Sequence, residues 1–173
     1  MLKRRLTEKI TFLFVVLLVG AVNAQSVSEA LLLKDSKTQD QDDMCFWVHP
    51  SDPSQSIIIA SDKAANMLFV YDLNGTTIST VSTAGKPGNI DIRYGFEYGN
   101  ERADVVIFND RTNKLVAIYK VDPATRELSR IDNDAIPTGG NYGICAYRSP
   151  KTGKLYAFTT SKTGQIEQYE ISG

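Results

Sequence analysis

The sequence predicts an all-β protein of the β-propeller type, and three observations support this. Its apolar residues come in short β-branched and aromatic runs, such as residues 57–59 and 67–71, separated by Gly, Pro, Asn and Asp. No window has the sustained 3.6-residue periodicity of a helix. A segment of 21 residues is repeated three times, and such internal similarity is typical of repeat architectures.

The first 24 residues have the pattern of a cleavable signal peptide. Four basic residues flank the start of an apolar run from Ile10 to Val19, and small residues precede a cleavage point after Ala24. That run is about half of the ~20 apolar residues that a membrane-spanning helix needs. We therefore expect a secreted or periplasmic protein with no membrane segment after removal of the signal.

Residues 25–41 are polar and lack turn residues, so we expect a frayed N-terminal arm before a domain at residues 42–173. Without the leader the chain has fifteen basic and nineteen acidic residues, so we do not expect a surface that binds duplex nucleic acid. An exported chain can form a disulfide. Cys45 and Cys145, however, differ by one in their repeat offsets, so we expect them to face opposite sides of their strands and to stay unpaired.

The three repeats align without a gap, each from a polar residue to a basic residue twenty positions later. They begin at Asp43, Asp91 and Tyr142, and they end at Lys63, Arg111 and Lys162. The spacing of 48 and then 51 residues suits one four-stranded blade. We expect blades near residues 42–83, 89–131 and 140–173, or two and a half to three blades. Propellers close with four to eight blades, so we expect a fragment of a longer protein.

In a propeller blade, the loop into the first strand and the loop after the second strand open on the same side. The repeat therefore places acid or phenol groups beside basic groups on one rim. Arg and Lys arranged around a mouth suit a ligand with several phosphates. Carboxylates there would repel that ligand unless a hard cation such as Ca²⁺ lay between them. The alternative is that Asp and Lys are inherited turn residues without a ligand.

The same residues resemble the β-propeller phytases, which are calcium-dependent phytate hydrolases with six blades. The first repeat, DDMCFWVHPSDPSQSIIIASDK, is similar to their opening blade. NIDIRYGF and NDR are similar to their second blade, and NYGICAYRSPKTGKLYAFTTSKTGQIEQYEI to their third. The likeness runs from Asp42 to Ile171, which is nearly all of the expected mature chain.

This resemblance implies roles for two groups of residues. Contacts to substrate phosphate are implied for Lys63, Arg111, Tyr142 and Lys162. Calcium ligands are implied at Asp42, Asp43, the carbonyls of Met44 and Ile90, and Asp91. Two positions depart from the family pattern: Met44 stands where many relatives have Pro, and Thr163 stands where some relatives have an acid.

The resemblance also implies a secreted phosphatase that acts on inositol hexakisphosphate with Ca²⁺ and is a monomer at full length. The alternative is a non-catalytic propeller module that binds an anionic ligand or a partner protein. His49 is the only histidine, so the sequence offers no further residues for a histidine metal triad or a Ser-His-Asp arrangement. We expect His49 to end the first strand.

Overall fold

A computed structural model describes residues 27–33, 35–132 and 136–173. The predicted signal peptide lies outside the described residues. The chain divides into two units, Met1–Ala30 and Leu31–Gly173, and every strand found in the described residues belongs to the second. Within the described ranges, no helix is long and apolar enough to cross a membrane.

Twelve strands in the described part of the chain form three antiparallel sheets. Sheet 1 contains β1 (Gln41–Trp47), β2 (Ile57–Asp62), β3 (Met67–Tyr71) and β4 (Thr77–Ser82), with a 3-10 turn at Pro53–Gln55. Sheet 2 contains β5 (Pro87–Tyr98), β6 (Glu101–Asp110), β7 (Leu115–Val121), β8 (Leu128–Arg130) and β9 (Ile136–Pro137), the last paired with β7. Sheet 3 contains β10 (Gly143–Arg148), β11 (Leu155–Thr160) and β12 (Ile166–Ile171). The all-β prediction is confirmed, and the sheets are consecutive blades of an incomplete propeller.

The blades pack face to face through two apolar clusters. Trp47 and Ile59 of sheet 1 are buried against Ile90 and Phe108 of sheet 2. A second cluster joins sheets 2 and 3 through side chains that include Ile107 and Ala157. Burial of these side chains stabilises the fold by roughly 1.5–3 kcal/mol for each large apolar group. The two clusters place the first strands β1, β5 and β10 side by side.

A repeated turn follows the second strand of each blade. The side chains of Asp62, Asp110 and Ser161 each accept hydrogen bonds from backbone N–H groups two to four residues later. Short polar side chains are favoured at such turns because they replace a backbone acceptor locally. The next residue in each blade is the basic residue of the repeat, so the turn fixes where that side chain begins.

The gap-free alignment of the first strands is wrong in one respect. Asp43 pairs with Ser61, one residue from the end of β2, whereas Asp91 pairs with Ile107, three residues from the end of β6. The difference is present where the strands begin to pair: Gln41, two residues before Asp43, lies opposite the last residue of β2, whereas Pro87, four residues before Asp91, lies opposite the last residue of β6. A register shift follows in both β1 and β5, so it does not account for the offset. Asp91 consequently lies two residues further along its blade than the alignment predicts.

The two cysteines are both free. Cys45 pairs with Ile59 and Cys145 pairs with Phe158, which are equivalent positions in sheets 1 and 3. The prediction that they face opposite sides of their strands is therefore wrong. Because β5 contacts both β1 and β10, sheet 2 lies between the two thiols and keeps them apart.

The second half of the predicted arm packs against sheet 1. Leu33 contacts a small cluster that contains Phe69 and Tyr71. The backbone N–H groups of Gln39 and Asp40 donate to Asp62 Oδ2 at 2.7 and 3.0 Å. The last residues before β1 are thus held at the same turn that carries Lys63.

Candidate anion-binding site

The site lies on the rim, which we define as the starts of β1, β5 and β10 together with the turns after β2, β6 and β11. Lys63 and Arg111 follow β2 and β6 directly, and their N–H groups donate to the carbonyls of Asp40 and Lys86. Lys162 follows Ser161 in the turn after β11. The three basic residues therefore begin at corresponding points of three blades.

Asp42 joins the first two basic side chains. Its Oδ1 atom lies 2.7 Å from Lys63 Nζ, and its Oδ2 atom lies 3.8 Å from Arg111 NH1. Asp40 adds a second carboxylate, 3.3 Å from Lys63 Nζ. The hydrogen bond that Lys63 donates to Asp42, aided by the one to Asp40, raises the pKa of Lys63 above its ordinary value. Lys63 is therefore a cation at any physiological pH.

Tyr142 joins the second and third basic side chains. Arg111 Cζ lies 4.2 Å from the centre of the Tyr142 ring, and Lys162 Nζ lies 5.0 Å from it. Both distances are within the range of cation–π attraction. Since Tyr142 remains 47% exposed, the ring and its two cations are accessible from solvent. Lys63, Asp42, Arg111, Tyr142 and Lys162 thus form one continuous row across three blades.

The other acidic residues hold blades together. Asp43 Oδ2 accepts hydrogen bonds from Asn89 Nδ2 and from the N–H of Ile90, each at 3.1 Å, and this links sheet 1 to sheet 2. Asp43 Oδ1 accepts from the N–H of Met44 at 2.9 Å. Both oxygens of this carboxylate are therefore engaged.

Asp91 has the same role between sheets 2 and 3. Its Oδ1 atom accepts from the N–H of Ile92 and from Arg93, and its Oδ2 atom accepts from the N–H of Ala146 at 2.9 Å. Arg93 also donates to the carbonyl of Ala146. Asp91 and Arg93 thus link sheet 2 to sheet 3 through the backbone of Ala146.

The carboxylate and carbonyl oxygens near the rim are of the type that Ca²⁺ binds, but too few of them are free to complete its coordination shell. Ca²⁺ takes six to eight oxygen ligands. Among the described residues, no group of three His, Cys, Asp or Glu side chains could hold a metal ion. Asp42 is bound to two cations, while Asp43 and Asp91 accept N–H groups. Met44 and Ile90 lie in paired strands opposite Ala60 and Phe108. In this arrangement the residues do not form a calcium site by themselves.

Two buried amides behind the row were not predicted from the sequence. Asn109 is fully buried and Asn141 is 9% exposed. They precede Arg111 by two residues and Tyr142 by one, and their side chains contact each other. The signal that could have identified Asn109 is its place in the repeat, two positions before the basic residue. Asn141 has no such signal.

Comparison with known proteins gives the family. The family model described as Phytase matches residues 19–173. A curated 3-phytase of Bacillus subtilis strain 168 is 35% identical over 136 residues, which cover 75% of this chain and 35% of that relative. A solved structure of a protein from Lactobacillus plantarum is similar with a TM-score of 0.43 and 12% identity, over 89% of this chain and 49% of that chain.

The chain therefore spans about a third of the length of the curated relative that it matches. The family model, by contrast, covers most of the chain, including all three blades. On this basis, the chain belongs to the phytase family.

Proposed function

We propose that the chain forms the phosphate-binding part of a phosphatase that releases phosphate from inositol hexakisphosphate. The observation that carries this proposal is the convergence of Lys63, Arg111 and Lys162, from three different blades, on one row at the rim. Family membership and the relative named 3-phytase support it.

The row suits a ligand with several phosphates. Arg111 offers a planar fork that binds two phosphate oxygens in parallel, while Lys63 and Lys162 act as mobile point charges. During hydrolysis the oxygen of a water molecule attacks phosphorus, and the bond from phosphorus to the inositol oxygen breaks. The three cations stabilise the negative charge on the remaining phosphoryl oxygens.

Calcium belongs to this proposal as well. Bound calcium would supply positive charge between the rim carboxylates and a phosphate group. Asp42 is the residue that the arrangement favours as a ligand, because its carboxylate lies on the row itself. By family resemblance, Asp43, Asp91 and the carbonyls of Met44 and Ile90 would complete the protein's share. The Asp43 and Asp91 carboxylates would first have to leave their N–H partners.

The location and partners of the protein are proposed from its sequence. The basic and apolar pattern of residues 1–24 favours export. The net acidic balance of the remaining chain disfavours nucleic acid as a partner. We propose a monomer whose partner is a small molecule.

A second candidate function is a non-catalytic module that binds an anionic ligand. The engaged carboxylates of Asp43 and Asp91 favour it, as does the lack of a three-ligand metal group within the described ranges. Such a module would use the same cationic row for binding and would need no metal.

Phosphate release from inositol hexakisphosphate distinguishes the two candidates. In the full-length protein we expect release with calcium, none with a chelator, and a strong reduction in Arg111→Ala. The exposed Lys151→Ala variant serves as the matched control and should behave as wild type. Equal release in chelator would contradict the role of calcium. Binding without any release would favour the second candidate.

A further inference from the structure

A polar residue stands two positions before the basic residue in each blade. These residues are Ser61, Asn109 and Thr160. Ser61 Oγ donates to the carbonyl of Gly88 in sheet 2 at 2.6 Å. Asn109 Nδ2 donates to Asn141 Oδ1, just before sheet 3, at 3.4 Å. The first two blades thus use this position to reach the following blade.

Asn141 connects the backbones that carry the two central residues of the row. Its Nδ2 group lies 3.3 Å from the carbonyl of Asp110, the residue before Arg111. The same group also contacts the carbonyl of Leu115 and the hydroxyl of Thr138. Since Asn141 directly precedes Tyr142, this amide ties the chain beside Tyr142 to the chain beside Arg111.

Stability alone does not explain Asn109. The side chain is fully buried, and its Oδ1 atom has no hydrogen-bond partner in the described part of the chain. An unpaired buried acceptor is unfavourable, and an apolar side chain of the same size avoids this cost. The Asn109 amide is packed close to the Arg111 side chain, and both lie against Gly88. A Cβ atom added to Gly88 would be 2.7 Å from Asn109 Oδ1 and 2.9 Å from Arg111 Cδ.

We propose that Asn109 and Asn141 are positioning residues that hold Arg111 against Tyr142 across the boundary between sheets 2 and 3. This inference rests on the proposed function for its consequence, which is the affinity for a polyphosphate. Neither amide contacts the ligand; both act through the backbone and stems of the two residues that do.

The test uses Asn109→Leu, which keeps the volume but removes the bond to Asn141. In the protein without ligand, we expect the NMR signals of the Arg111 Nε–H group and the Tyr142 ring to shift and broaden. Calorimetric titration with inositol hexakisphosphate should show affinity reduced about tenfold, the effect of losing roughly one oriented hydrogen bond. The melting temperature should change little, because the loss of the donor to Asn141 Oδ1 offsets the removal of the unpaired Asn109 Oδ1.

A second variant tests the same contact with a different side chain, and a control variant separates loss of stability from loss of affinity. Asn109→Ser places at this position the residue found at the equivalent point of blade 1, too short to reach Asn141, and should show the same NMR and binding changes. Ser56→Ala removes a buried hydroxyl that accepts from the N–H of His49, both in the connection between β1 and β2. This control should lose stability without a change in affinity or in the Arg111 signal.

Two outcomes separate this inference from the proposed function. If both Asn109 variants keep the wild-type Arg111 and Tyr142 signals, the positioning role is wrong, whatever the ligand does. If wild-type protein fails to bind inositol hexakisphosphate but the signals shift in the variants, the proposed function fails and the positioning role stands.

Discussion

Asp42 is the residue that decides how free the cations of the row are. It binds Lys63 at 2.7 Å and lies 3.8 Å from Arg111. A phosphate that approaches the row has to compete with this carboxylate for both cations. Ion pairs near a surface are weak when isolated, with a median below about 1 kcal/mol. Competition by a ligand with several charges is therefore feasible.

The Asp42→Asn variant tests this pairing. Asp42 is the main cause of the raised pKa of Lys63, so the pKa of Lys63 should fall towards its ordinary value in the variant. NMR titration of the lysine side-chain carbons measures the change. Lys154 serves as the internal control, because Glu170 raises its pKa independently. An unchanged Lys63 titration would contradict the ion pair.

At the residue scale, the sequence predicts the basic residues better than the acids. Lys63, Arg111 and Lys162 occupy one repeat offset, and a repeated turn places them alike. Asp91 departs from the expected position because β5 pairs with β6 in a register two residues away from that of β1 and β2, and a gap-free alignment does not show strand register. Asn141 could not be predicted, since its role depends on partners in another blade.

Among the elements, the turn after β2 combines a buried carboxylate with four N–H donors. Burial alone would raise the pKa of Asp62. The N–H groups of Ala65, Gln39, Asp40 and Ala64 together hold it below the ordinary value of 3.8. A carboxyl whose pKa is lower in the folded than in the unfolded state stabilises the fold above the unfolded pKa, and this contribution is lost as pH falls through the folded pKa.

The Asp62→Asn variant should accordingly be less stable at pH 7, by about 1–3 kcal/mol. The amide NH2 group of the asparagine is a donor, and it would face backbone N–H donors where the carboxylate has an acceptor oxygen. The stability of the variant should also fall less than that of wild type on acidification through the range below about pH 4. Thermal unfolding at pH 7 and pH 3 measures both effects. The exposed turn residue Asp122 is the control, and Asp122→Asn should stay within about 0.5 kcal/mol. Parallel pH profiles for wild type and Asp62→Asn would refute this account.

The start of β5 passes close to Arg111, and Gly88 permits the approach. A Cβ atom there would lie 2.7 Å from Asn109 Oδ1 and 2.9 Å from Arg111 Cδ. We expect Gly88→Ala to destabilise the protein by about 1–3 kcal/mol through overpacking. Chemical denaturation measures the loss. Gly140→Ala is the matched control, because its Cβ would meet nothing closer than 3.9 Å. Equal stability of the two variants would contradict the packing described for this strand.

At the scale of the whole molecule, the stacking of blades makes the two cysteines unequal. Burial, with the charges of Asp91 and Asp43, raises the pKa of Cys45 to about 12, whereas Cys145 is exposed. At pH 8, iodoacetamide should modify Cys145 in the folded protein and both thiols in guanidinium. Mass spectrometry locates the label. Similar labelling rates in the folded protein would mean that sheet 2 does not cover sheet 1.

The blade architecture was predictable because the period of the repeat and the short apolar runs report the same unit. The packing of residues 33–40 against sheet 1 was not, since a polar segment carries no periodic signal and is held mainly through its backbone.

Lys63, Arg111 and Lys162 come from three blades and, on our proposal, form one anion-binding site. An NMR titration with inositol hexakisphosphate tests it most directly, following the side-chain signals of Lys63, Arg111 and Lys162. We expect all three to shift together and to saturate at one ligand per chain. Shifts at different ligand concentrations, or a Lys162 signal that does not respond, would show that the three side chains do not form a common site.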